Sequence, residues 1–409
     1  MTKANNNFDV IIAGGGMVGT ALACALHTLA TGEQKLRIAL VEAHVPLSVK
    51  SVDDYGLRVS ALSRASERVI TRLAVWDAIK TVRVSPYQRM HVWDANGNGS
   101  VDFDAADIGE PNLGHIVENA LIQHSLWQRA QSLDNVICFA PAKAQDLAID
   151  GTSARLTLDN GQVLQAPLVV GADGAASKIR KLANLPVHEA AYEQYGVVTR
   201  IQTQKPHTDT AWQRFLSTGP LAFLPLADGS CSIVWSTSDA HSEALLAMDE
   251  KQFCQAVTQA SETILGEVVR CSERARFPLR KLHAENYVTD RVALVGDAAH
   301  VVHPLAGQGV NMGFLDVAVL AEILVNAQTK GRDVGALSIL RKFERARQSD
   351  NQLTLRTLDG LHYLFGEQHL ALPWLRNTGM QLFDRLTPLK NHVIRRAMGL
   401  SGDLPPLAK

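Results

Sequence analysis

Phe8-Asp9-Val10-Ile11-Ile12-Ala13-Gly14-Gly15-Gly16-Met17-Val18-Gly19 decides how this chain is read. Phe8 to Ala13 has the composition of a short buried strand, and Thr20 to Leu29 that of a helix. Between them stands Gly-x-Gly-x-x-Gly in the strand–turn–helix context that its physics requires. Gly14 permits the tight turn, Gly16 lets backbone approach a pyrophosphate, and Gly19 lets helix and strand pack closely. The helix N-terminus adds free N–H groups and partial positive charge. A second strand, Leu36 to Val41, ends in Glu42, 23 residues after Gly19. A carboxylate there suits a ribose diol and repels a 2′-phosphate, so the expected ligand is FAD or NAD-like and not NADP.

Around this unit the chain has 409 residues, which at roughly 150 residues per domain suggests two to three domains. Lys+Arg total 40 against Asp+Glu 41, a net charge of -1, so the basic surplus of a general nucleic-acid binder is missing. Cysteines stand at 24, 138, 231, 254 and 271 with no CxxC pair, a pattern of reduced thiols that offers no zinc or disulfide framework. The apolar stretch Phe314 to Val325 is broken by Asp316 and Glu322, short of the roughly 18 to 20 uncharged residues of a membrane span. Asp9 and the triple glycine likewise argue against a signal peptide over Val10 to Ala30. These features place the chain in the cytoplasm and leave any membrane relationship peripheral.

Two further strand–turn–helix units follow. Pro167-Leu168-Val169-Val170-Gly171-Ala172-Asp173-Gly174-Ala175-Ala176-Ser177-Lys178-Ile179-Arg180 is a buried strand entering a small-residue turn. Val292 to Val295 leads into Gly296-Asp297-Ala298-Ala299-His300, then Pro304-Leu305-Ala306-Gly307-Gln308-Gly309-Val310-Asn311-Met312-Gly313 and a helix through Leu324. Asp297, at the carboxyl end of a strand, can accept from a ribitol hydroxyl. The Gly307 to Gly313 turn aims helix N–H groups at an anionic ring, and reduced flavin is such a ring. His300 and His303 are spaced for a metal, but no third ligand stands near them in the sequence and no metal is expected.

With these three landmarks in order, the sequence resembles the class A flavoprotein aromatic hydroxylases. It is closer to the ubiquinone-biosynthesis hydroxylases through Arg58-Val59-Ser60-Ala61-Leu62, Leu113-Gly114-His115-Ile116-Val117-Glu118-Asn119, Ala222-Phe223-Leu224-Pro225-Leu226 and HPLAGQGVN. Gly114 to Asn119, Cys231 to Ser236 and Arg396 to Leu400 look most like the 2-polyprenylphenol hydroxylase that oxidises ring position five. The resemblance implies a FAD-dependent monooxygenase that consumes NADH or NADPH and O2 and hydroxylates a polyprenylphenol through a flavin C4a-hydroperoxide. The cofactor carries the hard chemistry, and the protein positions the ring and excludes water.

The resemblance also implies site residues. Pro304, Gly307 and Gln308 line the flavin face where oxygen is transferred, and Gly309, Val310 and Asn311 continue that turn. Arg58 resembles the arginine that reaches the FAD phosphates, with an exposed loop arginine as the alternative. Asp173 resembles the aspartate linking the pyrophosphate region to NAD(P)H use, with helix capping as the alternative. Asn119 stands where many relatives carry Arg or Gln, so its part in cofactor binding is open. No second GxGxxG follows a strand. Asn96-Gly97-Asn98-Gly99 reads as a hairpin turn, so the nicotinamide nucleotide binds transiently.

The expected fold is α/β: a discontinuous FAD-binding, Rossmann-like domain of glutathione-reductase type over 1–80, 105–185 and 285–350. An antiparallel β-sheet substrate domain over 81–104 and 186–284 is inserted into it, followed by a C-terminal helical region over 351–409. Period-two strands at Gly196 to Ile201, Ala211 to Leu216, Leu221 to Leu226 and Cys231 to Thr237 build the sheet. Phe223, Leu224 and Pro225 are expected to wall the substrate, with plain sheet core as the alternative. Pro373 to Leu400 mixes apolar and basic residues and suits a membrane surface or a partner in a ubiquinone-biosynthesis complex, unless it is simply a solvated helix face. A homo-oligomer is left open. The rival readings are a hydroxylase of a small soluble aromatic and a non-catalytic, flavin-fold prenyl-binding protein.

Overall fold

The computed structural model describes residues 6–30, 35–46, 55–95, 97–303, 307–365 and 372–409. The chain is a mixed α/β protein. Val10–Ala13 is completely apolar and lies at the middle of a six-stranded sheet, flanked by Leu168–Gly171 and Ile38–Val41. Val292–Leu294 continues the sheet on one side and Val136–Phe139 on the other, all parallel, with Val288–Thr289 as an antiparallel edge. Registers Ala13↔Gly171 and Gly171↔Leu294 bring the strands of all three landmarks to the same height. Parallel strands ending together deliver their turns to one edge, where ligands of open α/β sheets bind.

The sheet is covered by the helices Met17–Leu29, Asn119–Gln131 and Gln308–Thr329, joined with it in one apolar cluster. Gln308–Thr329 is long and apolar enough to cross a membrane, yet 67% of its apolar window is buried inside the protein, and Asp316 within it is wholly buried. It is a core helix.

A second sheet of nine strands is built on Val187–Thr203, whose neighbours are Cys231–Ser238 and Ala275–Ala284. Gly219–Pro225 and Thr210–Leu216 follow Cys231–Ser238 in the ladder. The Arg89–Asp94/Ser100–Asp104 hairpin completes it, as the Asn-Gly signal indicates. One expectation is corrected here: Arg89–Asp94 pairs parallel with Thr210–Leu216, so this sheet is mixed and not antiparallel throughout. A distant hairpin can add to a sheet edge in either direction, because no short turn dictates its orientation.

The two faces of this sheet are covered differently. One packs on the helices Asp239–Ala247 and Glu250–Ala260, through Val197, Phe223, Ile233, Trp235, Leu245 and Phe253. The other meets the core helix and the C-terminal helices, through Val92, Phe215, Met312, Leu355, Phe365 and Met380. Ala144–Asp150, Ser153–Leu158 and Val163–Ala166 form a small antiparallel sheet that the sequence reading did not anticipate.

Candidate cofactor and active site

The glycine turn is shaped by contact. Gly14 has φ +109°, and a Cβ there would lie 2.3 Å from the carbonyl oxygen of Ala172 in the second landmark. A Cβ on Gly19 would stand 1.9 Å from the Gly14 carbonyl oxygen, so helix and turn touch backbone to backbone. Gly16 is different: it caps the helix with ordinary extended dihedrals, and a Cβ there would meet no protein atom within 4 Å. No internal packing demands this glycine, and the space it leaves lies before unpaired helix N–H groups. That is an anion cradle that a side chain would fill.

The landmarks interlock around the cradle. A Cβ on Gly313 would come 2.7 Å from a methyl of Val18, so the third landmark closes on the first helix. Arg180, buried, donates to the carbonyls of Ala298 (2.7 Å) and Ala175 (2.8 Å), tying the second landmark to the third. Glu42 ends its strand beside the turn and accepts from the N–H groups of Gly15 (2.5 Å) and His44 (2.9 Å).

Asp297 lies in a single 3-10 turn, Gly296–Ala298, directly after the Val292–Leu294 strand. It is exposed to solvent although the residues on both sides of it are buried, which sets it on the floor of a cleft. The protein packed around its recess partly desolvates its carboxyl and raises it above the ordinary value, and the charges of His300 and Arg58 act against that rise. Arg58, exposed on the rim, extends its guanidinium 5.2 Å from the Phe277 ring centroid. Asn119 opens its helix here; its Oδ1 accepts from Ser60 Oγ (2.6 Å) and its N–H donates to the Arg58 carbonyl (3.0 Å). Gly307, at φ +60°, caps the core helix, and Gln308, Gly309 and Val310 form its half-buried first turn.

Three expected site residues have other work in the structure. Asn311 is buried with both ends of its amide engaged. Its Oδ1 accepts from Ser63 N–H (2.9 Å) and Ser66 Oγ (2.7 Å), and its Nδ2 donates to the carbonyls of Ala61 (2.9 Å) and Gly307 (3.1 Å). Its side chain holds the turn in place and has no valence left for a ligand. Asp173 accepts from Ser177 Oγ and from the N–H groups of Lys178 and Ile179, capping the short helix Lys178–Leu182. Phe223 is corrected outright. It is 1% exposed in the cluster on the helix-covered face of the large sheet, away from the cleft, and Pro225 shares its face by alternation. Leu224 points the other way, packing beside Ala61 and Tyr87. Pro304 lies outside the described residues.

Beneath the cleft floor is a buried polar cluster that the sequence reading did not assign. Asp316 accepts from Gly296 N–H (3.1 Å), Arg347 Nε (2.9 Å) and Asn351 Nδ2 (3.1 Å), and lies 2.6 Å from His300 Nε2. Burial alone would raise its carboxyl, but the His300 and Arg347 charges outweigh that and hold it well below the usual range. Asp316 thereby pins the turn that carries Asp297. Its signal in the sequence was one of the two carboxylates, with Glu322, that interrupt an apolar helix, a group that a core tolerates only when paired.

A parallel sheet with three interlocked turns on one edge, an open space before a helix N-terminus and an acidic cleft floor has the features of a dinucleotide-binding flavoprotein. The chain belongs to the FAD binding domain family, whose profile matches residues 7–349, and within it to the class A flavin monooxygenases. It is 35% identical to the ubiquinone biosynthesis monooxygenase COQ6 of Danio rerio, covering 96% of this chain and 90% of the relative. To the 3-demethoxyubiquinol 3-hydroxylase of Escherichia coli it is 36% identical, covering 97% of this chain and all of the relative. Among solved structures, p-nitrophenol 4-monooxygenase from Pseudomonas putida superimposes with a TM-score of 0.77 at 16% identity, covering 97% of this chain and 99% of that one. That likeness is one of fold. The cofactor is FAD, and the enzyme is an aromatic-ring hydroxylase of the kind that draws its reducing equivalents from NAD(P)H.

Proposed function

We propose that the protein hydroxylates the aromatic ring of a polyprenylphenol intermediate in ubiquinone biosynthesis, from a discontinuous FAD-binding domain of glutathione-reductase type with an inserted substrate sheet. The observation that carries this reading is the apolar cluster packed under the first turns of the core helix. The face of the large sheet that meets the core helix brings Val92, Val101, Phe215 and Val302 against Met312, in the second turn of the helix that Gly307 caps, in a buried cluster closed by Leu355 and Phe365. An aliphatic and aromatic wall suits a phenol with a hydrocarbon tail, where a small charged aromatic would call for a cationic anchor. Similarity along almost the whole chain to one enzyme named for ubiquinone biosynthesis and one named as a demethoxyubiquinol hydroxylase supports the same substrate class.

FAD, when bound, supplies electron transfer from NAD(P)H and the activation of O2. The chain supplies position and electrostatics. The Gly16 cradle and helix N-terminus would hold the pyrophosphate, Glu42 the ribose and Asp297 the ribitol, and Arg58 on the rim would reach the phosphates. The N–H groups at Gly307–Val310 lie at the positive end of the core helix and would stabilise negative charge on a reduced flavin. Leu224 and the apolar wall orient the ring and keep water out. Asp173, tied to its own helix, acts on NAD(P)H use through the shape of its turn. The protein works at the periphery of the membrane that holds its substrate.

The test is quinone-intermediate profiling in cells lacking this protein. A precursor one ring hydroxyl short should accumulate, and its structure names the position oxidised. Unchanged intermediates and normal ubiquinone would overturn the substrate assignment. A substrate cavity sealed from the surface around a carboxylate-binding arginine would favour a small soluble aromatic instead.

A further inference from the structure

The helices Leu372–Arg385 and Thr387–Ala397 have two dissimilar faces. Their inner face is fixed to the protein: Met380, Ile394 and Met398 are buried. Lys390 donates to Asp102 O (2.9 Å) and Asp384 Oδ1 (3.1 Å), and Arg395 to Ile108 O (2.8 Å). Their outer face leaves four large aliphatic side chains in water: Leu382 (57% exposed), Leu386 (43%), Leu389 (50%) and Val393 (40%). Leu382 lies on the first helix and Leu386 at the junction, while Leu389 and Val393, four apart, share one side of the second helix. Arg385, His392 and Arg396 flank them and are exposed, Arg396 with one N–H group on the Asp350 carboxylate (3.3 Å). Residues 372–400 carry five Lys/Arg against the single carboxylate of Asp384, in a chain whose net charge is -1.

We propose that this face docks the protein on an anionic lipid bilayer, with the four aliphatic side chains entering the headgroup–acyl boundary and Arg385 and Arg396 at the level of the phosphates. The composition separates a bilayer from a protein partner. Protein interfaces are anchored by buried aromatic residues inside a polar rim, whereas this face offers an aliphatic row flanked by cations, the pattern of helices lying in the membrane plane. The proposal extends the reading of the substrate as a bilayer lipid, but it stands on the surface alone.

The experiment uses the full-length, FAD-loaded protein and flotation with vesicles containing phosphatidylglycerol, compared with vesicles of phosphatidylcholine alone. Binding to the anionic vesicles is expected to exceed binding to the neutral ones at least tenfold, taking roughly fivefold per cation at the surface, and to weaken with salt. Leu389→Glu/Val393→Glu should abolish flotation, and Arg385→Glu should lower it about fivefold or more by the same reasoning. All of these positions are exposed, so flavin absorbance and thermal midpoint should match the parent. Failure of the parent to float at low salt, or equal flotation of the Leu389/Val393 variant, would overturn the proposal. A change of oligomeric state in that variant, seen by sedimentation without any vesicle binding, would also overturn it and assign the face to a second copy. Because vesicle binding is read without turnover, its failure leaves the substrate assignment intact, and the intermediate profile can fail without touching it.

Discussion

Gly16 and Gly19 belong to one motif, yet the structure assigns them opposite vulnerabilities. A Cβ at Gly16 meets no protein atom within 4 Å, and its dihedrals of -69° and -175° are open to any residue. Gly16→Val therefore costs the flavin-free protein only the preference for glycine over valine at a helix cap, about 1 kcal/mol. The same isopropyl group occupies the cradle. Losing two charge-assisted hydrogen bonds from helix N–H groups to phosphate, about 1.5–3 kcal/mol each, weakens FAD binding by about 100-fold or more. At Gly19 a Cβ would lie 1.9 Å from a backbone oxygen, so Gly19→Ala must move helix or turn. It should cost about 3 kcal/mol of stability in the flavin-free protein, and flavin binding should fall with it. Urea unfolding of the flavin-free proteins and fluorescence titration with FAD measure the two quantities separately. If Gly16→Val bound FAD like the parent, or if it unfolded the flavin-free protein, the cofactor would lie elsewhere and the motif would be a structural turn.

Asp297→Ala removes one charged acceptor from the cleft floor and should weaken FAD by roughly 10- to 30-fold in the same titration, with the fold intact. Asp316→Asn leaves the Arg347 and His300 side chains without their buried counter-ion, and urea unfolding should show a loss of about 3–5 kcal/mol. The sign with pH is fixed by the depressed carboxyl: its contribution is complete above the unfolded carboxylate value of about 4 and is lost as pH falls toward the folded value, so the acid limb of a stability–pH curve should flatten in this variant. Phe223→Ala opens a cavity in the helix-covered core and should cost about 3–5 kcal/mol while leaving KM for the aromatic substrate unchanged; Leu224→Ala should raise KM with a smaller loss of stability. A KM shift in the Phe223 variant alone would reverse the assignment of faces.

The parts of this fold legible in the sequence are those where a local rule has one solution. Val10 to Ala13, Leu168 to Val170 and Val292 to Leu294 are apolar on both faces, as parallel central strands must be, and each leads straight into its turn. Alternation through Ala222-Phe223-Leu224 likewise announces two faces, but it cannot say which of them meets the cleft, because that depends on where the flanking helices pack. The parallel join of Arg89–Asp94 to Thr210–Leu216 depends on residues more than a hundred positions apart. The Asp316 cluster draws on Gly296, His300, Arg347 and Asn351, which only the folded chain assembles.

That cluster explains why a hydroxylase would keep a charged group in the middle of its core helix. The cleft floor is one short turn, and a turn of three residues has little stiffness of its own. Asp316 fastens it from below through Gly296 N–H and His300, while Arg180 holds Ala298 from the side. The carboxylate of Asp297 is then fixed at the cleft while its supports stay buried and out of reach of water. Replacing the cluster by apolar residues of equal volume could preserve or raise stability, as it does for many buried ion pairs, yet it would release the turn. A variant with normal or higher urea resistance and weakened FAD binding would therefore separate the positional role of Asp316 from its contribution to folding.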